Sequence, residues 1–450
     1  MKAYAYLVLV GLISFFLLGT TFALDVNHVF SINNEYDLKR ILAIAFIWLM
    51  VLMLSFKREH YLLRLKKQSI AFLVFFFGLG SISALYSQHS FWSWIELGNI
   101  LLCLIGLYCF SSVLRSLSTS QVYRFCYFFS LVISIATLLK YLLFLVFHYI
   151  ELQPFNIHGL IYGYVNVRFF NQLQVMMVPL LLLPFFSSEL KRFSVMSLIL
   201  ISLHWMVLLQ TEARGAMVSL ISAMVLISFF LGADIRKSLI AVVCRAILLG
   251  ISLWLLFIVI IPILIMGDNF AHLRGGSSGR LDLWMYVVNN ISEHLLLGHG
   301  PMAFAWAENK PLPHAHPHNS VMQLLYEYGV VVCMGTILWV GSYLANLLAS
   351  LKQETNVNQL PIIMSLLTAL IYSLFSGVVV MPFAQLLLVF VVSVTALPLP
   401  AVCYPVSALV RGIAVMGVSL LSWALLASYH HSQLLSALFP RFWVNGLLSY

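Results

Sequence analysis

Charged residues are scarce in this chain of 450 residues. Asp, Glu, Lys and Arg together make up 9% of it, whereas 62% of the residues are hydrophobic and the mean hydropathy is +1.00. A soluble globular protein carries about 25% charged residues. The shortage of charge argues against a water-soluble enzyme, a disordered tail and a nucleic-acid-binding domain. This composition predicts a protein that is embedded in a lipid membrane.

Cysteines and metal-binding motifs are also few. The six cysteines lie inside apolar runs or beside loops predicted to be cytoplasmic, and the sequence contains no CxxC or HExxH motif. None lies in a predicted external loop, so no disulfide framework is expected. We expect no cofactor and no metal ion.

Long apolar runs fill most of the chain. They lie at about 4–24, 41–56, 69–86, 94–114, 122–147, 169–186, 194–210, 216–232, 246–266, 319–349, 361–380, 383–400 and 408–428. Lipid offers the backbone no hydrogen-bond partners, so runs of this length are predicted to be helices. The predicted fold is an all-α polytopic membrane protein with about 12–13 transmembrane helices. The first run resembles a signal peptide but is expected to remain as an uncleaved span.

Basic residues between these runs are distributed unequally. With the N-terminus inside, 15 Lys and Arg residues fall on the inner side and eight on the outer side. The positive-inside rule supports this orientation. The predicted division is an N-terminal transmembrane bundle of about nine spans (1–266), a large external loop (267–317), C-terminal transmembrane helices (318–428) and a short tail (429–450).

The external loop 267–317 is the longest segment outside the predicted membrane. It holds six glycines and four prolines around an amphipathic stretch at 281–297. Long loops with their own structure are usually functional. We therefore predict a structured loop that carries one short helix.

Arginines on the predicted outer side run against the orientation bias. They are Arg168 before the sixth run, Arg214 in Thr211-Glu-Ala-Arg-Gly-Ala, and Arg274 and Arg280 around a glycine-serine stretch. A guanidinium is permanently charged and grips phosphate oxygens with two parallel bonds, so the set predicts an anion site. Taken alone, each is more simply an interfacial residue, and Arg214 could pair with Glu212 or Arg280 with Asp282.

A histidine-rich segment ends the loop. It reads His314-Ala-His316-Pro317-His318-Asn319-Ser320. Asn319 or Ser320 is a good N-cap for the following helix, which places His318 near the positive end of a helix dipole. That position favours a neutral imidazole able to accept a proton. The alternatives are a metal site made of the three histidines, and a structural histidine that caps the helix or pairs with Glu327.

Three further polar residues lie within predicted spans. Glu327 lies about two turns into the tenth apolar run, where an intramembrane carboxylate indicates a functional site; a carboxylate bonded to a neighbouring helix is the equal alternative. Lys140 and His204 have no evident role other than binding a partner helix.

Four motifs resemble those of a known family. They are Thr211-Glu-Ala-Arg214-Gly-Ala, Gly279-Arg280-Leu-Asp-Leu-Trp284, Leu297-Gly-His-Gly300, and Pro317-His318-Asn319 followed by Gln323 and Glu327-x-Gly329. Their order and spacing resemble the superfamily of O-antigen ligases, O-antigen polymerases and bacterial O-linked oligosaccharyltransferases, over about 160–335.

The resemblance implies a glycosyltransferase with a glycosyltransferase-C-like fold in the bacterial inner membrane, with its active site facing the periplasm. The donor would be a glycan on undecaprenyl diphosphate, and the reaction would be metal-independent and inverting. The family's functional arginines and histidine correspond to Arg214, Arg280 and His318, with Arg168 a weaker match. We add Arg274, His316, Asn319 and Glu327 as candidate substrate-binding residues.

The subfamily sets the acceptor. A ligase uses lipid A–core, a polymerase a growing glycan, and an oligosaccharyltransferase a Ser or Thr of a protein. We favour the ligase, because no long C-terminal periplasmic region follows the last run and because the three histidines before Asn319 look ligase-like. Thirteen runs leave 429–450 outside, whereas a typical ligase has both ends inside; a false run, such as the second or the last, would remove this difference. A transporter of a lipid-linked anion is the alternative from another class.

Overall fold

The computed structural model describes residues 2–21, 35–153, 167–271, 279–352 and 354–428. Its α-helices are α1 (Lys2–Thr21), α2 (Glu35–Ser55), α3 (Lys67–Tyr86), α4 (Ser90–Leu114), α5 (Thr119–Glu151), α6 (Val167–Leu180), α7 (Leu183–Phe186), α8 (Ser194–Gln210), α9 (Arg214–Ser228), α10 (Ala233–Trp254), α11 (Ile261–Met266), α12 (Arg280–Asn290), α13 (Ala303–Trp306), α14 (Ser320–Ser350), α15 (Leu360–Tyr372), α16 (Pro382–Thr395) and α17 (Ala408–Ala427). The strands are β1 (Glu59–Leu63) and β2 (Ala401–Pro405).

Every predicted apolar run coincides with a helix. Within the described residues, ten helical segments are long and apolar enough to cross a membrane, and three apolar helices are shorter: 214–228, 357–372 and 382–395. The protein is therefore an all-α polytopic membrane protein, as predicted. The second and last runs, suspected of being false, are helices of full length at 38–55 and 408–427.

The helices group into two compact units, each assembled from separate stretches of chain. The first unit comprises Met1–Leu24, Leu117–Gly275 and Asn346–Tyr372. In it α10 packs along α8, and α15 packs against both α6 and α9. Gly250 permits the close approach of α10, since a Cβ there would lie 2.5 Å from the Trp205 Cβ.

The second unit comprises Asp25–Ser116, Gly276–Ala345 and Ser373–Tyr450. In it α16 packs on α4, α17 packs on α2, and α3 packs beside α4. This unit contains the large loop from Gly279 onward and the first 26 residues of α14, up to Ala345. The division of the sequence into an N-terminal bundle, a loop and C-terminal helices, with boundaries at 266 and 318, stays a prediction.

A two-stranded antiparallel sheet joins two loops of the second unit. Glu59 pairs with Pro405 and Leu63 with Ala401. Both strands come from segments predicted to lie on the inner side, 57–68 and 401–411. The pairing shows that these two segments lie at the same end of the unit. The sheet was not predicted, because each strand is only five residues long.

The large loop is structured but differs from the prediction of one helix over 281–297. The helix α12 ends at Asn290, and a 3-10 turn follows at Ile291–His294. A second short helix, α13, covers Ala303–Trp306. The chain between the two helices turns at Gly298 and Gly300, which have φ values of +71° and +110°. Glycine adopts such positive φ values without steric cost.

Candidate active site

Asn319 caps the helix α14. Its Oδ1 accepts hydrogen bonds from the backbone N–H groups of Val321 at 2.9 Å and Met322 at 3.1 Å. These are two of the N–H groups that a helix start leaves without a partner. The predicted cap is thus confirmed, and His318 lies immediately before the N-terminus of α14.

His318 has a backbone conformation that is uncommon for a residue with a side chain. Its φ is +56°, in the left-handed region that costs a non-glycine residue about 1–2 kcal/mol. Its N–H donates to Nδ1 of His316 at 3.2 Å. Backbone strain of this kind is often found at functional sites, and here it sets the direction of a half-buried imidazole.

The buried side chain of His316 packs beneath the His318 backbone and stabilises this turn. The His316 side chain is 1% exposed, and its ring packs against Gly377, where a Cβ would lie 2.7 Å from the ring's Cε1. Because its Nδ1 accepts a hydrogen bond, the neutral ring carries its proton on Nε2. The following turn is fixed by Ser320, whose N–H and Oγ both donate to the Ser373 carbonyl at 2.9 Å.

The three histidine rings meet edge to face. The centroids of His316 and His318 are 4.2 Å apart, and those of His314 and His318 are 4.9 Å apart, with interplanar angles of 62° and 81°. Among the described residues, no group of three His, Cys, Asp or Glu side chains is placed to hold a metal ion. The cluster therefore lacks the arrangement of the metal site considered from the sequence.

Arg280 opens the helix α12, and this helix is tied to the histidine segment. Gly279 enters the helix at φ +71°, and a Cβ there would lie 2.3 Å from Cδ1 of the Leu312 side chain. One turn after Arg280, the Trp284 indole N–H donates to the Pro317 carbonyl at 2.9 Å. The residue before His318 is therefore held by the helix that begins at Arg280.

Lys310 is a structural cation that sequence reasoning missed. Its ammonium donates to the carbonyls of Phe304 at 2.9 Å, Ala305 at 2.8 Å and His314 at 3.0 Å. Three carbonyls around one ammonium draw α13 and the histidine segment together. The only signal in the sequence was a lysine on the outer side against the charge bias.

The helix α14 is broken at Gly329, which has φ +76° and ψ 174°. The carbonyls of Tyr326 and Glu327 accept from the N–H groups of His299 at 2.9 Å and Gly300 at 3.0 Å. In return, the Val330 N–H donates to the Leu295 carbonyl at 2.8 Å. The loop motif 297–300 thus supplies partners for backbone groups that the break releases.

Glycines make this contact between the loop and α14 possible. A Cβ on Gly298 would lie 2.5 Å from the Glu327 carbonyl carbon, and a Cβ on Gly329 would lie 2.5 Å from the Leu296 carbonyl carbon. The Ser83 hydroxyl of α3 donates to the Leu297 carbonyl at 2.7 Å. The motif Leu297-Gly-His-Gly300 is therefore a backbone-to-backbone joint.

Glu327 lies inside this joint. The Glu327 side chain is 0% exposed, and Nε2 of Gln323, one turn earlier, lies 3.4 Å from its Oε2. The carboxylate thus accepts a hydrogen bond from its own helix, whereas the structural alternative considered above was a bond to a neighbouring helix. A role for Glu327 in substrate binding stays a prediction.

His299 is held between the loop and α14. Its ring stacks on Tyr326 with centroids 4.2 Å apart, and its Nε2–H donates to the Asn290 carbonyl at 3.1 Å. Burial lowers the pKa of His299 below its ordinary 6.5, while the bond to Asn290 raises it.

The first unit contains the other two arginine motifs. Arg214 is exposed and is the first residue of α9. The turn before it passes through Glu212 at φ +48°, and the Ala213 N–H donates to the Leu208 carbonyl at 3.0 Å. Arg214 therefore follows a tight turn at the start of the eighth apolar run.

The Arg168 motif is bonded to the Arg214 motif. Arg168 is the second residue of α6, and Asn171 follows one turn later. Nδ2 of Asn171 donates to Oγ1 of Thr211 at 3.1 Å. The helix start that carries Arg168 is therefore bonded to the turn that carries Arg214.

The structure thus brings the predicted residues together in two pairs. Arg280 and His318 are linked through Trp284 and Pro317 in the second unit, and Arg168 and Arg214 are linked through Asn171 and Thr211 in the first. Arg274 lies outside the described residues.

Comparison with known protein families finds a match that covers part of the chain. Residues 196–340 match the O-antigen ligase family. The match includes Arg214, Arg280, His318 and Glu327, and it leaves out Arg168. It supports the O-antigen ligase and polymerase superfamily, and with it an enzyme that uses lipid-linked glycans and lipid acceptors. No curated protein matches the chain.

Proposed function

We propose that this chain is an O-antigen ligase of the bacterial inner membrane. In this proposal it transfers a glycan from undecaprenyl diphosphate to lipid A–core at the periplasmic face. The observation that carries the proposal is the Trp284–Pro317 hydrogen bond of 2.9 Å. It joins a helix that begins with an arginine to the strained turn of a histidine, within the stretch that matches the ligase family.

The proposed reaction is a single displacement. A sugar hydroxyl of the acceptor attacks the anomeric carbon of the donor, and its proton passes to the imidazole of His318. The bond between that carbon and the diphosphate oxygen breaks, and the electron pair leaves with the diphosphate. The configuration at the anomeric carbon is inverted. A general base of this kind contributes about 10²–10⁴-fold to the rate.

The leaving diphosphate needs positive charge. Arg214 and Arg280 are each the first residue of a helix, α9 and α12. A helix N-terminus carries partial positive charge and free N–H groups, which favour phosphate, and a guanidinium adds two parallel hydrogen bonds. In the proposal these two arginines stabilise the charge that develops as the bond breaks, with Arg168 and Arg274 as further contacts.

The position of His318 supports its role as the base. It lies immediately before the capped N-terminus of α14, where the helix dipole disfavours a protonated imidazole. Its neighbours Asn319 and His316 hold the turn through hydrogen bonds, so in the proposal they orient the base and the donor. A neutral ring can accept the proton from the attacking hydroxyl.

The test compares glycans in the native host, with the chromosomal gene replaced by His318→Ala or Arg280→Ala at normal expression. The undecaprenyl-linked fraction and the lipopolysaccharide are extracted, and their glycan lengths are compared on gels. We expect long polymer to accumulate on the carrier while the core lipid stays bare. Arg236→Ala is the matched control, since Arg236 is an exposed arginine in the first turn of α10.

The other outcomes separate the alternatives. A core that carries one repeat, with no long polymer anywhere, would identify a polymerase. Glycan missing from a protein while lipopolysaccharide stays normal would identify an oligosaccharyltransferase. Near-full transfer by both loop variants, together with a requirement for Lys140, would favour a transporter.

A further inference from the structure

A chain of buried polar side chains crosses the interior of the first unit. Ser134 of α5, His204 of α8, and Asn171 and Gln174 of α6 are all 0% exposed. The chain ends at Thr211, in the turn before Arg214. These side chains belong to helices long and apolar enough to span a membrane or to the turn beside them, where an unsatisfied polar group is costly.

The hydrogen bonds between these polar side chains run from Thr211 to Ser134 without a gap. Oγ1 of Thr211 accepts from Nδ2 of Asn171 at 3.1 Å, and that nitrogen also donates to Oε1 of Gln174 at 2.8 Å. Nε2 of Gln174 is 3.1 Å from Nδ1 of His204, and Nε2 of His204 is 2.8 Å from Oγ of Ser134. The chain therefore links α5, α8 and α6 to the Arg214 turn.

Each of these hydrogen bonds can be given one donor and one acceptor. Thr211 donates its own proton to the Val207 carbonyl at 2.9 Å, so its oxygen is an acceptor for Asn171. The amide nitrogen of Gln174 can only donate, so Nδ1 of His204 accepts and its proton lies on Nε2. In this arrangement His204 is neutral and each of its ring nitrogens has a partner.

We infer that these five hydrogen-bonded polar side chains are a positioning network for Arg214 and Arg168 in glycan transfer. It fixes the Thr211 end of the turn to α6, the helix whose second residue is Arg168, and it anchors that helix to α5 and α8. Its five members act through the arginines and touch no substrate. The inference rests on the proposed function of Arg214.

The position of Thr211 explains why the network acts on Arg214. The two residues are three positions apart, on either side of Glu212 in its left-handed conformation. Arg214 is exposed, so its own contacts do little to hold it in one place. Directional hydrogen bonds in a low-dielectric interior are well suited to hold such a turn.

The test uses Thr211→Val, which keeps the shape of the side chain and removes the oxygen that accepts from Asn171. Purified protein in proteoliposomes is assayed with a lipid-linked glycan donor. We expect kcat/KM to fall about five- to tenfold, since one buried hydrogen bond is lost. Thr211→Ser restores the oxygen and is expected to recover most of the activity.

Thr368→Val is the matched control. Thr368 is buried in α15, in the same unit, and its Oγ1 donates to the carbonyl four residues earlier, as that of Thr211 does. The control removes the same hydroxyl from a helix outside the network. We expect it to keep wild-type kcat/KM, and a loss equal to that of Thr211→Val would overturn the inference.

A double-mutant cycle with Arg214→Lys then separates positioning from a general loss of stability. If Thr211 acts through Arg214, adding Thr211→Val to Arg214→Lys costs much less than the five- to tenfold loss in the wild-type background. Two independent losses that multiply would overturn the inference.

The outcomes also distinguish this inference from the proposed function. If Arg214→Ala abolishes transfer and Thr211→Val has wild-type kcat/KM, the network is not a positioning device, while the function of Arg214 stands. If Arg214→Ala keeps full activity, Arg214 is not part of the site, and both the anion role and the network inference fail.

Discussion

The turn before Arg214 and the turn before α14 reach similar conformations by different means. Each passes through a non-glycine residue with positive φ, Glu212 at +48° and His318 at +56°. The first turn is fixed by side chains, through Thr211 and its polar neighbours in the interior. The second is fixed by side chains close in the sequence, through Nδ1 of His316 and Oδ1 of Asn319, and the helix that follows it is held to the loop by a backbone joint at Gly329.

These two kinds of support decide which substitutions each region tolerates. A side-chain network depends on particular polar atoms and survives changes that keep them. A backbone joint depends on the absence of side-chain atoms, because its N–H and C=O groups must come within hydrogen-bond distance. We therefore expect polar-to-apolar changes to be most damaging in the first unit and glycine changes to be most damaging in the second.

The largest expected effect comes from Gly329→Ala, which tests the backbone joint directly. The new Cβ would meet the Leu296 carbonyl at a position where φ is +76°. The combined clash and backbone strain should destabilise the fold by about 2–4 kcal/mol and abolish transfer. Thermal melting in detergent and the transfer assay provide the measurements.

Gly341→Ala in the same helix is the control. Nothing lies within 4 Å of the place that the alanine methyl group would take, so alanine should stabilise α14 by about 0.5–1 kcal/mol. Equal melting temperatures for the two variants would mean that the joint at Gly329 is not a constraint.

Trp284→Phe tests the side-chain bond that links the helix of Arg280 to the residue before His318. It keeps an aromatic ring and removes the indole N–H that donates to the Pro317 carbonyl. We expect transfer to fall about fivefold, as for the loss of one hydrogen bond, with little change in melting temperature.

Trp339→Phe is the comparison for Trp284→Phe. The indole of Trp339 donates to Oγ of Ser69 at 3.2 Å, away from the histidine turn. A transfer rate as low as that of Trp284→Phe would show that the loss reflects general packing rather than the placement of His318.

The smallest expected effect is a dependence of stability on pH in the second unit. Because burial lowers the pKa of His299 below its ordinary 6.5, the unfolded chain takes up this proton before the folded chain does. Stability contributed by the neutral ring is present above pH 6.5 and decreases as the pH falls below it. His299→Gln should reduce the fall in melting temperature between pH 7.5 and pH 5.5 by about one or two degrees. An unchanged pH dependence would contradict this role.

Much of the fold could be predicted from the sequence. The apolar runs coincide with helices, and the Asn319 cap follows from local chemistry, since a short polar side chain after Pro317 and before an apolar run has few other uses. The break at Gly329 could not be predicted, because its released carbonyls are satisfied by Leu297-Gly-His-Gly300, about 30 positions earlier in the chain. A local pattern contains no information about such a partner.

The same limit applies to the candidate site. Charge bias singled out Arg214 and Arg280 as unusual positions, and each is the first residue of a helix; their role in the site stays a prediction. The sequence analysis assigned no role to Lys310, whose ammonium is surrounded by three carbonyls of the folded loop. His204 had no explanation until α5 and α6 were placed beside it.

The sequence alone determined which segments are helices in the membrane, because hydrocarbon leaves an apolar run no alternative to internal hydrogen bonds. It also determined where the histidine stands relative to a helix start. Only the tertiary structure decided what surrounds those helices: a network of side chains that ends at Thr211, and a joint of backbone at Gly329. Both depend on groups far apart in the chain, and their hydrogen bonds form only when packing has brought those groups within about 3 Å.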